Sequence, residues 1–389
     1  MQLLYQKFEN LLLHTPAGFK RYLYDEISWK SRMIGIVGPR GVGKTTMMLQ
    51  NIRENSDKSN ALYVSADDMY FAENNLMDLA DKFYKNAGKS LYIDEIHKYP
   101  DWSRALKNMY DSFPGLQIIF TGSSVLDILK GSSDLSRRAI IYHMQGLSFR
   151  EYLNYFHQHE TAPYTLEQIV QNEVRLTAIA HPLPLFNDYL KRGYYPFGNE
   201  DELAIRLGQI IVQTLENDIP QYANLSVGTS RKLKRLLSII AESVPFKPNF
   251  SKIAELLGVS RNSLDDYFIY LEKAGMIGQL HSETGGLHGL GKVDKVYLDN
   301  PNLIFSLAGE KANIGNIRET FFFNQMRQKN TIAASANADF VVGNYTFEIG
   351  GKNKQQSQIE KDGKSFIVKD DIEWGYLNVI PLWAFGFNY

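Results

Sequence analysis

The chain has 389 residues, which is more than a single hydrophobic core normally holds, so we expect two or three domains. Its 42 basic and 43 acidic residues give a formal net charge of −1, which excludes attraction of nucleic acid or membranes through overall charge. The absence of cysteine excludes disulfides, thiolate metal sites and cysteine nucleophiles.

The N-terminal stretch MQLLYQKFENLLLHT has its apolar residues at helical spacing. Lys7 and Glu9 interrupt them, which is not the pattern of a signal peptide. No stretch of the sequence approaches the length of a membrane span. We therefore expect a cytoplasmic protein with no membrane partner.

The motif GPRGVGKT, at residues 38–45, matches the phosphate-binding loop G-x-x-x-x-G-K-[ST]. It lies between an apolar run predicted as a buried strand, Met33 to Val37, and a run that can open a helix. The glycines permit positive-φ turns that point backbone N–H groups at phosphate. The predicted nucleotide contacts are Gly38, Pro39, Arg40, Gly41, Val42, Gly43, Lys44, Thr45 and Thr46.

Two residues of this loop have predicted roles in chemistry. Lys44 is expected to reach the β- and γ-phosphates and to take part in catalysis, and the Thr45 hydroxyl is expected to bind Mg²⁺. A second apolar run, from Ser90, ends in two carboxylates, Asp94 and Glu95. Parallel sheets bind ligands at the carboxyl ends of their strands, so Asp94 would hold Mg²⁺ through water. Glu95 would polarise an attacking water, which favours ATP hydrolysis over transfer to a substrate hydroxyl.

A third predicted strand, from Gln117 to Thr121, precedes Gly122, Ser123 and Ser124. In additional-strand ATPases the strand between the loop strand and the acidic strand carries a polar sensor of the γ-phosphate. Thr121 or Ser123 stands where that sensor would be. The same cluster can also be an ordinary helix N-cap, so both interpretations stay open.

Arg137 and Arg138 precede a further predicted strand, at residues 139–143. Adjacent arginines at this point are candidates for an arginine finger, which neutralises charge on the transferring phosphate and can act across a subunit boundary. The pair therefore predicts a homo-oligomer with the finger in trans. A solvated basic pair remains the alternative.

Apolar residues recur at helical spacing between about Leu166 and Ile240, which predicts a helical lid over the nucleotide. A helix-turn-helix follows, with Gly258 at the turn, Ser260 as N-cap and a second helix from Arg261 to Lys273. Arg261 and Asn262 are suited to DNA reading. The helix carries three acidic residues against two basic ones, however, and the following wing segment offers only Lys292 and Lys295 as firm cations. A DNA-reading and a structural or protein-contacting module both stay open.

Residues 338–349 read as a β-hairpin with a two-residue turn at Gly343 and Asn344. This register pairs Phe340 with Phe347 and sets Asp339 opposite Glu348. Two facing carboxylates repel one another unless a proton, a cation or a metal lies between them.

Restriction-type endonucleases hold Mg²⁺ with such a pair, and carry a lysine two residues after the glutamate. Here Gly350 occupies that position and Lys352 lies four residues on. Glu319, on an apolar helix, could complete an acidic cluster. Three interpretations stay open: an active nuclease, a degenerate nuclease-like fold that binds a partner or a DNA end, and a hairpin whose counter-ion is Lys352 or Lys354.

The stretches GPRGVGKTT, YIDEIHKYPDW, IIFTGSS, QGLSFREYL, YLKRGYYPF, YTFEIGGKNK and IPLWAFGFNY occur in this order along the chain. Together they resemble a family of prokaryotic AAA+-type ATPases that join an N-terminal ATPase domain to a winged-helix segment and a C-terminal domain similar to restriction endonucleases. The resemblance covers almost the whole chain. It implies ATP and Mg²⁺ as cofactors far more firmly than it implies a biological role.

The expected fold class is therefore α/β: a P-loop NTPase of AAA+ type with a parallel sheet, then a helical lid, a winged helix and an α/β domain of restriction-endonuclease type. The expected domains are an ATPase domain at 1–155, the lid at 156–245, the winged helix at 246–300 and the C-terminal domain at 301–389. We expect an ATPase whose nucleotide state moves the later domains, without nuclease activity. Two alternatives are an ATP-driven DNA-processing nuclease using Asp339, Glu348 and Lys352, and a slow ATPase switch that presents a protein-binding surface. The sequence does not decide between DNA and a protein as partner.

Overall fold

The computed structural model describes residues 1–55, 58–122, 135–220, 225–242, 247–282, 293–354 and 364–389. The chain forms two compact units, Met1–Gly146 and Leu147–Tyr389. Each unit contains a five-stranded sheet of its own.

The sheet of the first unit is parallel throughout, with strand order β2-β3-β4-β1-β5. Its strands are β1 (Met33–Val37), β2 (Ala61–Ser65), β3 (Ser90–Asp94), β4 (Gln117–Gly122) and β5 (Ile140–His143). Every residue of β1 is buried, as expected for a central parallel strand covered on both faces. Because β4 lies between β1 and β3, the predicted position of the third strand is confirmed.

The described residues of the first unit form five helices: α1 (Gln2–Leu13), α2 (Leu23–Glu26), α3 (Lys44–Asn55), α4 (Leu76–Lys85) and α5 (Trp102–Ser112). The sequence of α4 explains its packing, since Leu76, Leu79, Ala80 and Phe83 form one apolar stripe and all are buried. Asn75 caps its N-terminus by accepting a hydrogen bond from the Asp78 N–H.

The described residues of the second unit form nine helices, seven of which precede its first strand. They are α6 (Phe149–His157), α7 (Leu166–Val170), α8 (Pro182–Asp188), α9 (Leu203–Gln213), α10 (Val227–Glu242), α11 (Phe250–Leu257), α12 (Arg261–Lys273), α13 (Pro301–Ala308) and α14 (Ile314–Met326). Gly258 ends α11 with φ of 62°, and the Ser260 side chain caps α12, so the predicted helix-turn-helix is confirmed in its local geometry.

The strands of the second unit fall into a hairpin and a mixed sheet. The hairpin pairs β6 (Ile277–His281) with β7 (Val293–Leu298). The sheet has the order β12-β11-β10-β9-β8, with strands β8 (Ile332–Ala334), β9 (Phe340–Val342), β10 (Tyr345–Gly350), β11 (Ser365–Lys369) and β12 (Val379–Pro381). Tyr345 pairs with Val342 and Phe347 with Phe340, which confirms the register predicted from the turn.

The described residues of both units also form short helical turns. The 3₁₀ turns are Lys58–Asn60, Met69–Ala72, Ile96–Lys98, Gly309–Lys311 and Leu382–Phe387, and the π turns are Tyr189–Gly193 and Thr214–Asp218. Within the described ranges, none of the helices has both the length and the apolar character needed to cross a membrane.

The boundary between the units precedes α6, whereas the sequence placed the end of the first domain near Tyr155. The reason lies at the other end of the chain. Ser148 and Arg150 each donate a 2.9 Å hydrogen bond to the backbone oxygen of Tyr389, and the ring of Phe149 packs edge-on against Phe387. These contacts make α6 part of the second unit.

Candidate nucleotide-binding site

The loop that joins β1 to α3 contains the glycines of the motif. A Cβ atom at Gly38 would lie 2.1 Å from the backbone oxygen of Met144, so only glycine fits beside the end of β5. Gly43 has φ of 100°, in the region that side chains disfavour. The predicted positive-φ geometry is thus present in the loop.

Lys44 is the first residue of α3 and is buried. Its Nζ donates hydrogen bonds of 2.9 Å to the Gly38 carbonyl and 2.7 Å to the Pro39 carbonyl. The loop therefore wraps around its own ammonium group, which concentrates positive charge where a phosphate-binding loop needs it.

The carboxylate of Asp94, at the end of β3, lies at the centre of a group of hydroxyls. Thr45 Oγ1 and the Tyr63 hydroxyl both donate to Oδ2, at 2.7 Å and 2.8 Å, and Thr121 Oγ1 donates to Oδ1. Burial first, and then the charge of Asp94, raise the pKa of Tyr63, so this hydroxyl stays protonated and can act only as a donor to the carboxylate.

Glu95, the next residue, has a left-handed backbone conformation with φ of 51° and ψ of 40°. Such a conformation is strained for a residue with a side chain and is concentrated at functional sites. Its N–H donates to Thr121 Oγ1 at 3.2 Å. Its Oε2 lies 3.8 Å from Nη1 of Arg40, in the loop, and 3.5 Å from Nε2 of the buried His97. The carboxylate is thereby held toward the loop.

Arg21 supports the loop from the N-terminal segment. Its side chain donates to the Val42 carbonyl within the loop, and to the carbonyls of Gln145 and Gly146 at 2.7 Å and 2.8 Å. One buried guanidinium thus joins the loop to the chain that follows β5.

The residues at this site fit a magnesium ion. Hydroxyl and carboxylate oxygens are the hard ligands that Mg²⁺ prefers, and the Thr45 hydroxyl and the Asp94 carboxylate are already 2.7 Å apart. They stand beside the loop whose lysine would face the phosphates of the nucleotide.

The remaining predicted residues are distributed as follows. Thr121 lies at the end of β4, where the sensor was expected, while Ser123 lies outside the described residues. Arg138 forms a two-pronged ion pair with Asp111, with distances of 3.0 Å and 2.9 Å, and this pairing lowers the pKa of Asp111. Arg137 is exposed. Arg137 is therefore the better candidate for an arginine finger.

A second charged cluster lies inside the second unit. Nζ of Lys295, on β7, is 3.0 Å from Glu319 on α14 and 2.8 Å from Asp339, and the Tyr297 hydroxyl donates to Glu319 at 2.7 Å. All these side chains are largely buried. Glu319 thus lies near Asp339, but a lysine of the chain stands between them, and Glu348, the third member of the expected acidic cluster, pairs with Lys354 instead.

Charge and burial act together in this lysine cluster, defined by Lys295, Glu319 and Asp339. Burial lowers the pKa of Lys295, but the two carboxylates raise it by more, so the lysine remains charged. Burial, followed by the Asp339 charge, raises the pKa of Glu319. The cluster also removes Lys295 from any DNA-facing wing, and Lys292 lies outside the described residues.

Glu348 does not share its counter-ion with Asp339. The register pairs end at Phe340 and Phe347. Beyond them the Asp339 N–H donates a 3.1 Å hydrogen bond to the Phe347 oxygen, and the Asp339 carboxylate accepts a 2.9 Å hydrogen bond from the Ile349 N–H. Glu348 forms an ion pair with Lys354. Asp339 and Glu348 are thus not a register pair of the hairpin, and their cationic partners differ: Asp339 shares Lys295 with Glu319, whereas Glu348 pairs with Lys354. Among the described residues, no group of three His, Cys, Asp or Glu is arranged to hold a metal.

Two family models match parts of the chain. Residues 30–153 match a model described as an AAA domain, and residues 183–313 match a domain of unknown function, DUF8612. No curated protein matches the sequence significantly. The first unit thus has a parallel α/β core of P-loop ATPase type, which supports ATP binding and hydrolysis in general terms.

Solved structures give weaker similarities. A Walker-type ATPase of Pyrococcus abyssi is 14% identical, with 76% of this chain and 99% of that chain covered and a TM-score of 0.44. DnaA from Aquifex aeolicus bound to AMPPCP is 13% identical, with coverage of 70% and 87% and a TM-score of 0.28. NtrX from Brucella abortus is 16% identical, with coverage of 69% and 71% and a TM-score of 0.30. Each TM-score is below 0.5, so these similarities carry no functional conclusion.

Sequence reasoning missed three contacts of these sites: Tyr63 on Asp94, His97 beside Glu95, and Lys295 between Glu319 and Asp339. His97 had the clearest signal, because it lies two residues after Glu95 in the same motif. The other two side chains come from strands that carry no recognisable motif.

The lysine cluster gives a prediction about stability. Lys295→Met should lower the free energy of unfolding by about 3–5 kcal/mol, because it leaves two buried carboxylates without a counter-ion. Lys354→Met, the matched control, should cost about 1 kcal/mol or less, since that pair is more exposed. Urea unfolding of the full chain measures both.

The pH dependence sharpens this test. A carboxyl whose pKa is raised in the folded state favours folding more at low pH than at high pH. Lys295 lowers the pKa of Glu319, so its removal raises that pKa further, and the stability lost in Lys295→Met should become smaller as the pH falls from about 8 to about 5. If Lys295→Met and Lys354→Met lost equal free energies of unfolding at every pH, a buried counter-ion role for Lys295 would be contradicted.

Proposed function

We propose that this protein is a Mg²⁺-dependent ATP hydrolase. The observation that carries the proposal is the 2.7 Å hydrogen bond between Thr45 Oγ1, on the phosphate-binding loop, and Asp94 at the end of the neighbouring acidic strand. This contact brings together the two magnesium ligands that such a site needs, beside Lys44.

Each side chain then has a defined role in hydrolysis. Loop N–H groups and Lys44 bind the β- and γ-phosphates, while Thr45 and Asp94 hold Mg²⁺. Mg²⁺ held there would supply positive charge to offset the negative charge that develops on the phosphate during hydrolysis. Glu95 orients and polarises the attacking water, and the Arg40 and His97 contacts keep its carboxylate beside the loop until nucleotide arrives.

The second unit is proposed to respond to the nucleotide. In this proposal the helices between residues 156 and 245 act as a lid, α11, α12 and the β6–β7 hairpin form a winged helix, and the mixed sheet is a degenerate endonuclease-type domain. A protein-contacting role for the winged helix is favoured over DNA reading, since α12 has a net charge of −1 and Lys295 is buried in the lysine cluster.

The nucleotide site is tested by two variants, one expected to lose ATP binding and the other expected to lose only turnover. Lys44→Ala should abolish ATP binding, because the cation facing the phosphates is lost. Glu95→Gln should keep ATP affinity and reduce turnover by at least about 100-fold, because only the water-polarising group is lost. Isothermal titration and phosphate release measure the two effects, with the exposed Lys89→Ala as control. Wild-type turnover in Glu95→Gln would refute the assignment of Glu95.

A shared active site is tested by mixing inactive chains. Arg137→Ala should reduce turnover by about 1000-fold with ATP affinity retained, as expected when an arginine finger is removed. Mixed with Glu95→Gln chains, it should recover part of the activity, since some interfaces combine an intact Glu95 with an intact Arg137. Arg104→Ala, an exposed arginine on α5, is the control. Normal turnover of a monomer at all concentrations would exclude a finger in trans.

The lysine cluster leads us to expect no nuclease activity. With Lys295 between Glu319 and Asp339, and Lys354 on Glu348, the carboxylates already have their cations. Linear and circular DNA should stay intact with Mg²⁺ or Mn²⁺, with and without ATP. Metal-dependent cleavage that disappears specifically in Glu348→Ala would instead establish the DNA-processing function.

A further inference from the structure

Tyr63 reaches the nucleotide site from a strand that contributes none of the motif residues. The parallel register pairs Tyr63 on β2 with Tyr92 on β3, and Ser65 with Asp94. Alternate residues of a strand share a face, so Tyr63, Tyr92 and Asp94 lie on the same face of the sheet. From there the Tyr63 hydroxyl reaches Oδ2 of Asp94 at 2.8 Å.

The contact is well placed to control how Asp94 is oriented. The aspartate is only 5% exposed and Tyr63 only 6%, so water does little to replace a lost hydrogen bond between them. Thr45 and Thr121 also donate to Asp94, but each has a second role, because Thr45 belongs to the loop and Thr121 supports the Glu95 N–H. Tyr63 supplies an anchor for the carboxylate that is independent of the loop.

We propose that Tyr63 is a positioning residue of the magnesium site, which fixes the Asp94 carboxylate in the orientation that binds Mg²⁺ with Thr45. The inference rests on the proposed function, because it concerns the ion that the hydrolase would use. Side chains that hydrogen-bond to metal ligands orient them, and their loss typically costs about 10–100-fold in metal affinity. Tyr63 does not contact the phosphates in this proposal.

The test compares two phenylalanine variants in the full chain. Tyr63→Phe removes the hydroxyl that binds Asp94. Tyr92→Phe removes the hydroxyl of the neighbouring tyrosine, which donates a 2.7 Å hydrogen bond to Asn51 and is also buried. Each variant therefore loses one buried tyrosine hydrogen bond of similar length, and only one of these bonds touches the magnesium site.

Equilibrium binding of a fluorescent ATP analogue, titrated with Mg²⁺ and repeated in EDTA, separates metal binding from nucleotide binding. In Tyr63→Phe, the Mg²⁺ concentration that gives half of the maximal increase in analogue binding should rise at least about 10-fold. The affinity for the analogue in EDTA should stay unchanged. Tyr92→Phe should match the wild type in both measurements. Thermal unfolding without nucleotide should give similar losses for both variants, which excludes a general folding defect.

The outcomes distinguish the two proposals. If wild-type binding depends on Mg²⁺ and both variants share that dependence, the role of Tyr63 is overturned while the proposed function stands. If wild-type binding ignores Mg²⁺, the magnesium site itself is overturned. If Tyr63→Phe fails to fold, 3-fluorotyrosine can be placed at position 63 instead. It keeps the hydroxyl, and its ¹⁹F resonance reports changes in the surroundings of that hydroxyl. Its ¹⁹F resonance should move when Mg²⁺ is added to the ATP-bound protein, and an unmoved resonance would refute the inference.

Discussion

A single buried carboxylate organises the first unit. Asp94 receives hydrogen bonds from α3, β2 and β4, so its position is fixed by three elements besides its own strand. An ionised carboxylate removed from water is costly unless donors surround it, and these three donors are all hydroxyls. Hydroxyls are neutral, so they leave the negative charge of the carboxylate available to a cation.

Buried carboxylates in the second unit are compensated by a charged group rather than by neutral hydroxyls. Glu319 and Asp339 are also largely buried, but an ammonium group of the same chain neutralises them. Lys295 lies on the hairpin after α12, while its partners lie on α14 and next to β9, so the ion cluster holds these elements in one arrangement. Hydroxyl donors leave room for an external cation, whereas an internal lysine removes the need for one. This contrast is why we propose hydrolysis for the first unit and a responding role for the second.

Sequence was sufficient for most local features, although the contact between His97 and Glu95 was missed. The phosphate-binding loop, the caps of α11 and α12 and the hairpin turn at Gly343 are each specified within a few residues, because backbone φ and short-range hydrogen bonds decide them. Contacts between distant segments were out of reach. Tyr63 and Asp94 are 31 residues apart and Lys295 and Asp339 are 44 apart, so neither pairing leaves a spacing signal. The assignment of α6 to the second compact unit was out of reach for the same reason, since the partner of α6 is the far end of the chain.

Arg21 shows that the limits of a sequence family need not be the limits of a working site. It lies outside the matched segment 30–153, yet its guanidinium holds the Val42 carbonyl and the two carbonyls after β5. A relative could preserve every motif residue and still bind nucleotide poorly if the segment ahead of its domain lacked an arginine that makes these hydrogen bonds. The side chains that hold the loop in its conformation are thus not confined to the matched segment.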